Sequence, residues 1–176
     1  MALRDLVKDV HTDAEKSPWA NLLMSGNITK PQYAGYLYQQ EMIYRALEIR
    51  AGELGMLDDI AGIARRSKIA ADFRELDIKH SIYPTPSTLE YCTYVKDISQ
   101  QQCWAHIYVR HFGDMYGGNM IAKVIPGEGE MYKFEKKGKL ISYVRDKLSD
   151  DMQDEARLVF KYATRLFKEL ENVYNI

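Results

Sequence analysis

Apolar residues recur at helical spacing along nearly the whole chain and strand-like alternation is almost absent, which restricts the sequence to folds made by packing helices. Leu3, Leu6, Val7 and Val10, continued by Ala14, mark a first helix over residues 2–16. Ser17-Pro18 ends it, because proline disfavours a helical residue before it. Trp19 to Met24 reads as a short helix closed by Ser25-Gly26-Asn27. Thr29 ahead of Lys30-Pro31 is a start signal, and a long helix runs from Pro31 through Tyr33, Tyr36, Leu37, Met42, Tyr44 and Leu47 towards Gly52 and Gly55. Another helix is expected over 57–73. The proline-bearing stretch Ser81 to Ser87 reads as a surface connection leading to an N-cap at Ser87. Helices over 89–98, 101–123, 139–148 and 151–174 complete the chain. Pro126-Gly127-Glu128-Gly129 is a turn between them, and Met131 to Phe134 shows a weak alternation. The expected architecture is a single all-α domain, residues 1–176, of seven or eight helices.

Composition narrows the function. With 46% apolar and 28% charged residues the chain belongs among globular proteins, away from disordered and low-complexity classes. Lys+Arg 24 against Asp+Glu 25 argues against a nucleic-acid binder that relies on an overall positive field. Cys92 and Cys103 fit neither a disulfide scaffold nor a zinc site, so reduced structural thiols in a reducing compartment are expected. Residues 1–16 alternate charged and apolar types, unlike a secretory signal, and no run of about 18 apolar residues offers a membrane span. A soluble protein is expected.

Two constellations ask for chemistry. Arg4, Lys8 and His11 stand at i, i+4 and i+7, and at about 3.6 residues per turn they share one helix face. An imidazole between a packed core and a basic rim suits a planar, metal-centred acid, whose metal the ring ligates while the cations meet its carboxylates. Glu15, one turn on, is placed to accept the other ring proton. A solvated polar face that happens to carry Arg4 and Lys8 is the alternative. The second constellation is Phe112-Gly113-Asp114-Met115-Tyr116-Gly117-Gly118, inside a helix. Each interior glycine costs roughly 1 kcal/mol relative to alanine, so three so close together require a reason, such as backbone contact with a flat ligand. Asp114 beside them is placed to hold water. A loop joining two shorter helices, with Asp114 as a cap, is the alternative.

Val10-His11-Thr12-Asp13-Ala14-Glu15 resembles the proximal-histidine segment of haem oxygenases, and Gly113-Asp114-Met115-Tyr116-Gly117-Gly118 resembles their distal-helix signature. Met42 to Glu48, Ala105 to Arg110 and Phe160 to Leu170 resemble further helices of that family, in the expected order. Met131 to Phe134 and Tyr143 to Leu148 are similar to forms from photosynthetic organisms. The likeness covers nearly the whole chain.

The resemblance implies one all-α domain that sandwiches haem b, cofactor and substrate together, between a proximal and a kinked distal helix. It implies ring opening at the alpha meso carbon with O2 and reductant, giving biliverdin IX alpha, carbon monoxide and ferrous iron. By matched position, His11 is the iron ligand with Glu15 behind it. Arg4, Lys8 and Arg145 face the propionates, with Tyr108 near them. Gly113 and Gly117, with Gly118 beside them, let the distal helix flex over the haem. Asp114 organises distal water, Tyr44 joins that network, and Arg110 is a distal-side basic residue. Phe160 and Phe167 line the pocket wall. Ferredoxin is the implied electron donor, in the cytoplasm or a plastid-like soluble compartment, and a bilin reductase is a possible recipient of the product. No nucleic-acid or membrane partner is implied. The chain departs from the pattern at Ile141, where animal forms carry another basic residue, at Ala163, where some members place an asparagine, and at Tyr116 and Asn119 in the glycine motif.

Three other readings compete. A haem carrier or sensor on the same fold would bind haem without breaking it, but has no use for Asp114 on a glycine helix. A di-iron carboxylate bundle would need Glu-x-x-His pairs, and none occurs. A metal-free relative that processes another small molecule gives no reason for the Arg4, Lys8, His11 row. His80, His106 and His111 are expected to be surface or supporting histidines, and Trp19 and Trp104 packing residues.

Overall fold

A computed structural model describes residues 2–176. Among them the chain forms α1 (Leu3–Leu6), α2 (Lys8–Glu15), α3 (Pro18–Ser25), α4 (Lys30–Glu53), α5 (Arg66–Glu75), α6 (Pro86–Tyr94), α7 (Gln100–Ala122), α8 (Lys137–Arg145) and α9 (Gln153–Val173), with single 3-10 turns at Ala61–Ile63, Val95–Asp97, Glu130–Tyr132 and Asp150–Met152. No strand occurs among the described residues.

The ends of these helices follow from local chemistry. The Thr29 hydroxyl accepts from the Gln32 amide while the Gln32 side chain accepts from the Thr29 amide, a reciprocal cap on α4. Ser99 and Gln102 repeat it on α7. Ser17 caps α3 through the Ala20 amide, with Pro18 in the first turn.

Four expectations need correction. The first helix is two, because Val7, with φ −113° and ψ 8°, interrupts the run to put its side chain in the core. The cap of α6 is Thr85, whose hydroxyl accepts from the Thr88 amide; Ser87 lies inside the helix and donates its hydroxyl to Glu169. Residues 57–65 are not helical apart from the 3-10 turn, and α5 starts at Arg66 because the distant Glu48 carboxylate accepts from the Arg65 and Arg66 amides at 2.6 and 3.1 Å. Residues 131–134 are no strand, since the Asp72 carboxylate captures the Glu130 and Met131 amides at 2.8 and 2.9 Å and winds them into the 3-10 turn.

Arg65 fastens these irregular segments. Its side chain is 2% exposed. The guanidinium donates to the carbonyls of Gly62, Ile63, Ala64, Met131 and Lys133, and its plane lies 3.7 Å from the centre of the Phe134 ring. A charge can be buried this way because the carbonyl dipoles replace water around it.

The two long helices α4 and α7 pack together, with α5 and α6 against α4. The amphipathic α9 lies against α2, α3, α6 and α7. Trp19, Tyr33, Leu37, Leu47, Ile107 and Leu166 are among the residues that fill the core. Gly118 belongs to this packing. A Cβ there would sit 2.5 Å from Cδ1 and 3.0 Å from Cβ of the buried Tyr132. Gly118→Ala is therefore expected to lower unfolding stability by about 1–3 kcal/mol, read from urea titration of the ligand-free protein.

Candidate functional site

The basic row and the imidazole lie on the exposed side of α1 and α2. Arg4 and Lys8 are exposed and have no carboxylate partner among the described residues. The His11 side chain is 51% exposed and stands edge-on to the Phe160 ring of α9, with centroids 5.7 Å apart. Its Nε2 is 3.1 Å from Glu15 Oε1. Glu15 thus faces Nε2, and Nδ1 has no hydrogen-bond partner among the described residues. Phe167, half-buried two turns beyond Phe160 on α9, continues the same side.

The glycine segment is helix throughout, so the expected alternative of a loop is excluded. Its glycines have two different purposes. A Cβ at Gly113 or Gly117 would meet nothing within 4 Å, so this face of α7 opens onto free space, whereas Gly118 admits Tyr132. The open pair is expected to show a trade: Gly113→Ala or Gly117→Ala should stabilise the ligand-free protein by up to about 1 kcal/mol through helix propensity. The same changes should weaken binding of a flat ligand seated on that face, measurable by titration.

Asp114 sits between those glycines, half-buried. Burial pushes its carboxyl up to about 6, against the opposing pull of the Tyr44 hydroxyl and of the neighbouring His111, Arg110 and Arg65 side chains. Tyr44, fully buried on α4, donates its hydroxyl to Asp114 Oδ2. Burial, with Asp114 beside it, keeps the Tyr44 phenol protonated far above its ordinary range. The pair therefore presents a held carboxylate whose remaining lone pairs are available to water.

Two buried histidines, one of them beside this pair, were not legible as such in the sequence. His111 is fully buried, with Nε2 2.9 Å from Glu48, and its ring meets Tyr44 edge-on at 4.8 Å between centroids. His106 is also fully buried, held by the Tyr91 hydroxyl at 2.7 Å and Glu155 at 2.8 Å. Neither is a surface histidine; each has Nε2 on an acid from another helix that local sequence does not reveal, and His111 Nδ1 is buried without a partner among the described residues. His80 is exposed, as expected. Arg110 is buried and lies over the Tyr91 ring at 4.1 Å, so its charge acts on Asp114 from within the core.

Tyr108, half-buried on α7, completes the rim. Burial raises its phenol pKa, while the charges of Arg4 and Arg145 oppose the rise, which puts all three in one neighbourhood. Arg145 itself donates from Nη2 to the Tyr116 hydroxyl at 2.8 Å. Arg4, Arg145, Tyr108 and Tyr116 thus share one rim, and His11 stands apart from it against Phe160 on α9.

A family model described as "Heme oxygenase" matches residues 1–169 of this chain. The chain belongs to the haem oxygenase family. It accordingly belongs among oxidoreductases whose general activity is degradation of haem to biliverdin. Curated haem oxygenases of Rhodella violacea and Guillardia theta are each 25% identical, covering 98% of this chain and 86% of theirs. Among solved structures, a haem oxygenase of the cyanobacterium Synechocystis in complex with haem superimposes with TM-score 0.83 at 18% identity, covering 97% of this chain and 90% of that one. The haem oxygenase of Leptospira interrogans gives TM-score 0.82 at 23% identity, over 96% of this chain and 100% of that one. These two likenesses concern the fold.

The residues present fit haem. The open Gly113 and Gly117 face accepts a flat ring at backbone distance, His11 offers a nitrogen donor, and Arg4, Lys8 and Arg145 offer positive charge to carboxylates. No described helix is long and apolar enough to cross a membrane.

Proposed function

We propose that the chain opens haem b at the alpha meso carbon to biliverdin IX alpha, carbon monoxide and ferrous iron, with His11 holding the iron. The observation that carries this reading is the bare Gly113 and Gly117 face beside a carboxylate that Tyr44 holds in place. When bound, haem supplies the iron that activates O2 and the carbon that is oxidised. The protein supplies orientation and protons. Arg4, Lys8 and Arg145, with Tyr108 beside the two arginines, would hold the edge that carries the propionates and so set the rotation of the ring against the glycine face. Phe160 packs against the His11 ring, and Phe167 extends that wall. Asp114, held by Tyr44, would orient water beside bound haem, and Arg110 adds positive potential from the core.

Near neutral pH Asp114 is placed for proton handling, since a carboxyl with pKa about 6 exchanges its proton readily there. A bare carrier has no need of such a group. Electrons are proposed to come from ferredoxin, in the cytoplasm or a plastid-like compartment, and a bilin reductase is the proposed consumer of biliverdin. The test adds one equivalent of hemin, then ferredoxin, its reductase and oxygenated buffer, and follows the visible spectrum. Loss of the haem band with growth of biliverdin, identified by isomer, and trapped carbon monoxide is expected. A stable haem band, with ascorbate also failing, would establish the carrier reading instead, and no hemin uptake would end both.

A further inference from the structure

We propose that Tyr116 and Arg145 act together as a receptor for one carboxylate of the tetrapyrrole, the phenol of Tyr116 being a binding group in its own right. The proposal rests on the haem reading above. Arg145 stands in the last turn of α8 and reaches Tyr116 on α7, its Nη2 donating to the phenol oxygen at 2.8 Å. A guanidinium carries five N–H donors, so four remain for a ligand. The phenol oxygen accepts that bond and keeps its own O–H free to donate. A carboxylate set against both would take one oxygen to the guanidinium and the other to the hydroxyl.

The position supports this use. Tyr116 follows Gly113 by three residues and precedes Gly117, so it stands at the edge of the face that opens onto free space. Its side chain is 57% exposed, too much for a core role. It is nevertheless held: Phe112 meets it edge-on at 5.9 Å, and Tyr108 meets Phe112 at 5.7 Å. Tyr108 in turn feels the charges of Arg4 and Arg145 together with the Tyr116 phenol. Two guanidiniums and two phenols thus share one rim.

Helix α8 offers Arg145 no cationic help. Along its face at four-residue spacing, Lys137 is spent on the Met115 carbonyl and Asn119 Oδ1, both at 3.4 Å, and Ile141 packs against the core. Those Lys137 contacts fasten the start of α8 to the same turn of α7 that carries Tyr116 and Gly117. The pair is therefore ordered before any ligand arrives, which lowers the entropy cost of engaging it. Arg145 has no carboxylate partner among the described residues, so its charge is unspent.

The test titrates haem-free protein with hemin and, separately, with its dimethyl ester, in the native chain, Tyr116→Phe, Arg145→Gln and the double variant. Tyr116→Phe is expected to weaken hemin binding about 5- to 20-fold and to leave ester binding unchanged. In the Arg145→Gln background the same change should cost less than about twofold, because the two groups act on one carboxylate. Equal losses for hemin and ester would make Tyr116 a packing residue and overturn the proposal. So would an undiminished hemin affinity, or an equal loss with and without Arg145. Failure of the native chain to bind hemin would instead remove the haem reading and the receptor with it.

Discussion

Alanine at position 11 is expected to lower hemin affinity at least about 10-fold and to abolish the spectrum of a nitrogen-ligated iron, with added imidazole restoring both in part. The effect is large on ligation and small on the fold, and the reason is the same. Half of the His11 side chain already faces solvent, and its contacts within the protein are an edge on Phe160 and a polar contact to Glu15. Truncation removes little buried surface, so unfolding stability of the haem-free protein should change by less than about 0.5 kcal/mol. Arg4, Lys8 and Arg145 remain, and hemin should still associate weakly through its carboxylates. Glu15→Ala probes the second nitrogen. It should leave the iron ligated but alter the donor strength of the ring, visible as a smaller spectral shift. An unchanged haem spectrum in His11→Ala would place the ligand elsewhere.

How far the sequence carries depends on whether a feature is local. The cap at Thr29 and with it the start of α4 were legible because donor and acceptor lie three residues apart; the equivalent cap at Ser99 was not read, although its signal is just as local. Residues 57–65 were misread as helix because the groups that decide their shape are far away in sequence. Glu48 takes the amides that would otherwise continue a helix, and the Arg65 guanidinium binds carbonyls from two separate segments. The same holds for the buried histidines, whose acids come from α4 and α9. In the candidate site, residue types and order were legible, and the division of labour among the glycines was not. Gly117 and Gly118 are adjacent and alike in sequence, yet one borders free space and the other admits Tyr132, because successive helix positions point about 100° apart. The link between Arg145 and Tyr116 was hidden for the same reason, since it joins two helices.

Asparagine in place of Asp114 is expected to make the haem-free protein more stable at neutral pH while cutting biliverdin formation by about 100-fold or more. The stability gain follows from the direction of the pKa shift. Burial raises the carboxyl from 3.8 to about 6, so between those values the folded protein keeps a proton that the unfolded chain has lost. Stability from this group is therefore fully present below about pH 4 and declines as pH rises through 6. By pH 7 the folded state carries a penalty of up to about 3 kcal/mol, set by roughly two units at about 1.4 kcal/mol each. Asparagine keeps the acceptor for the Tyr44 hydroxyl and has no proton to lose. Urea unfolding of the two proteins should diverge at pH 7 and converge below pH 4. A difference that does not depend on pH would mean that the carboxylate is not desolvated. The activity loss has a separate origin: the amide still binds water but can neither take nor return a proton near pH 6. Hemin affinity should stay within about twofold of the native value, because Asp114 is held by Tyr44 on α4 and is not one of the groups proposed to bind the carboxylates. Normal biliverdin yield in this variant would remove Asp114 from the chemistry. A stable, haem-binding, inactive protein would mean that the charge is retained at the cost of stability for the reaction it permits.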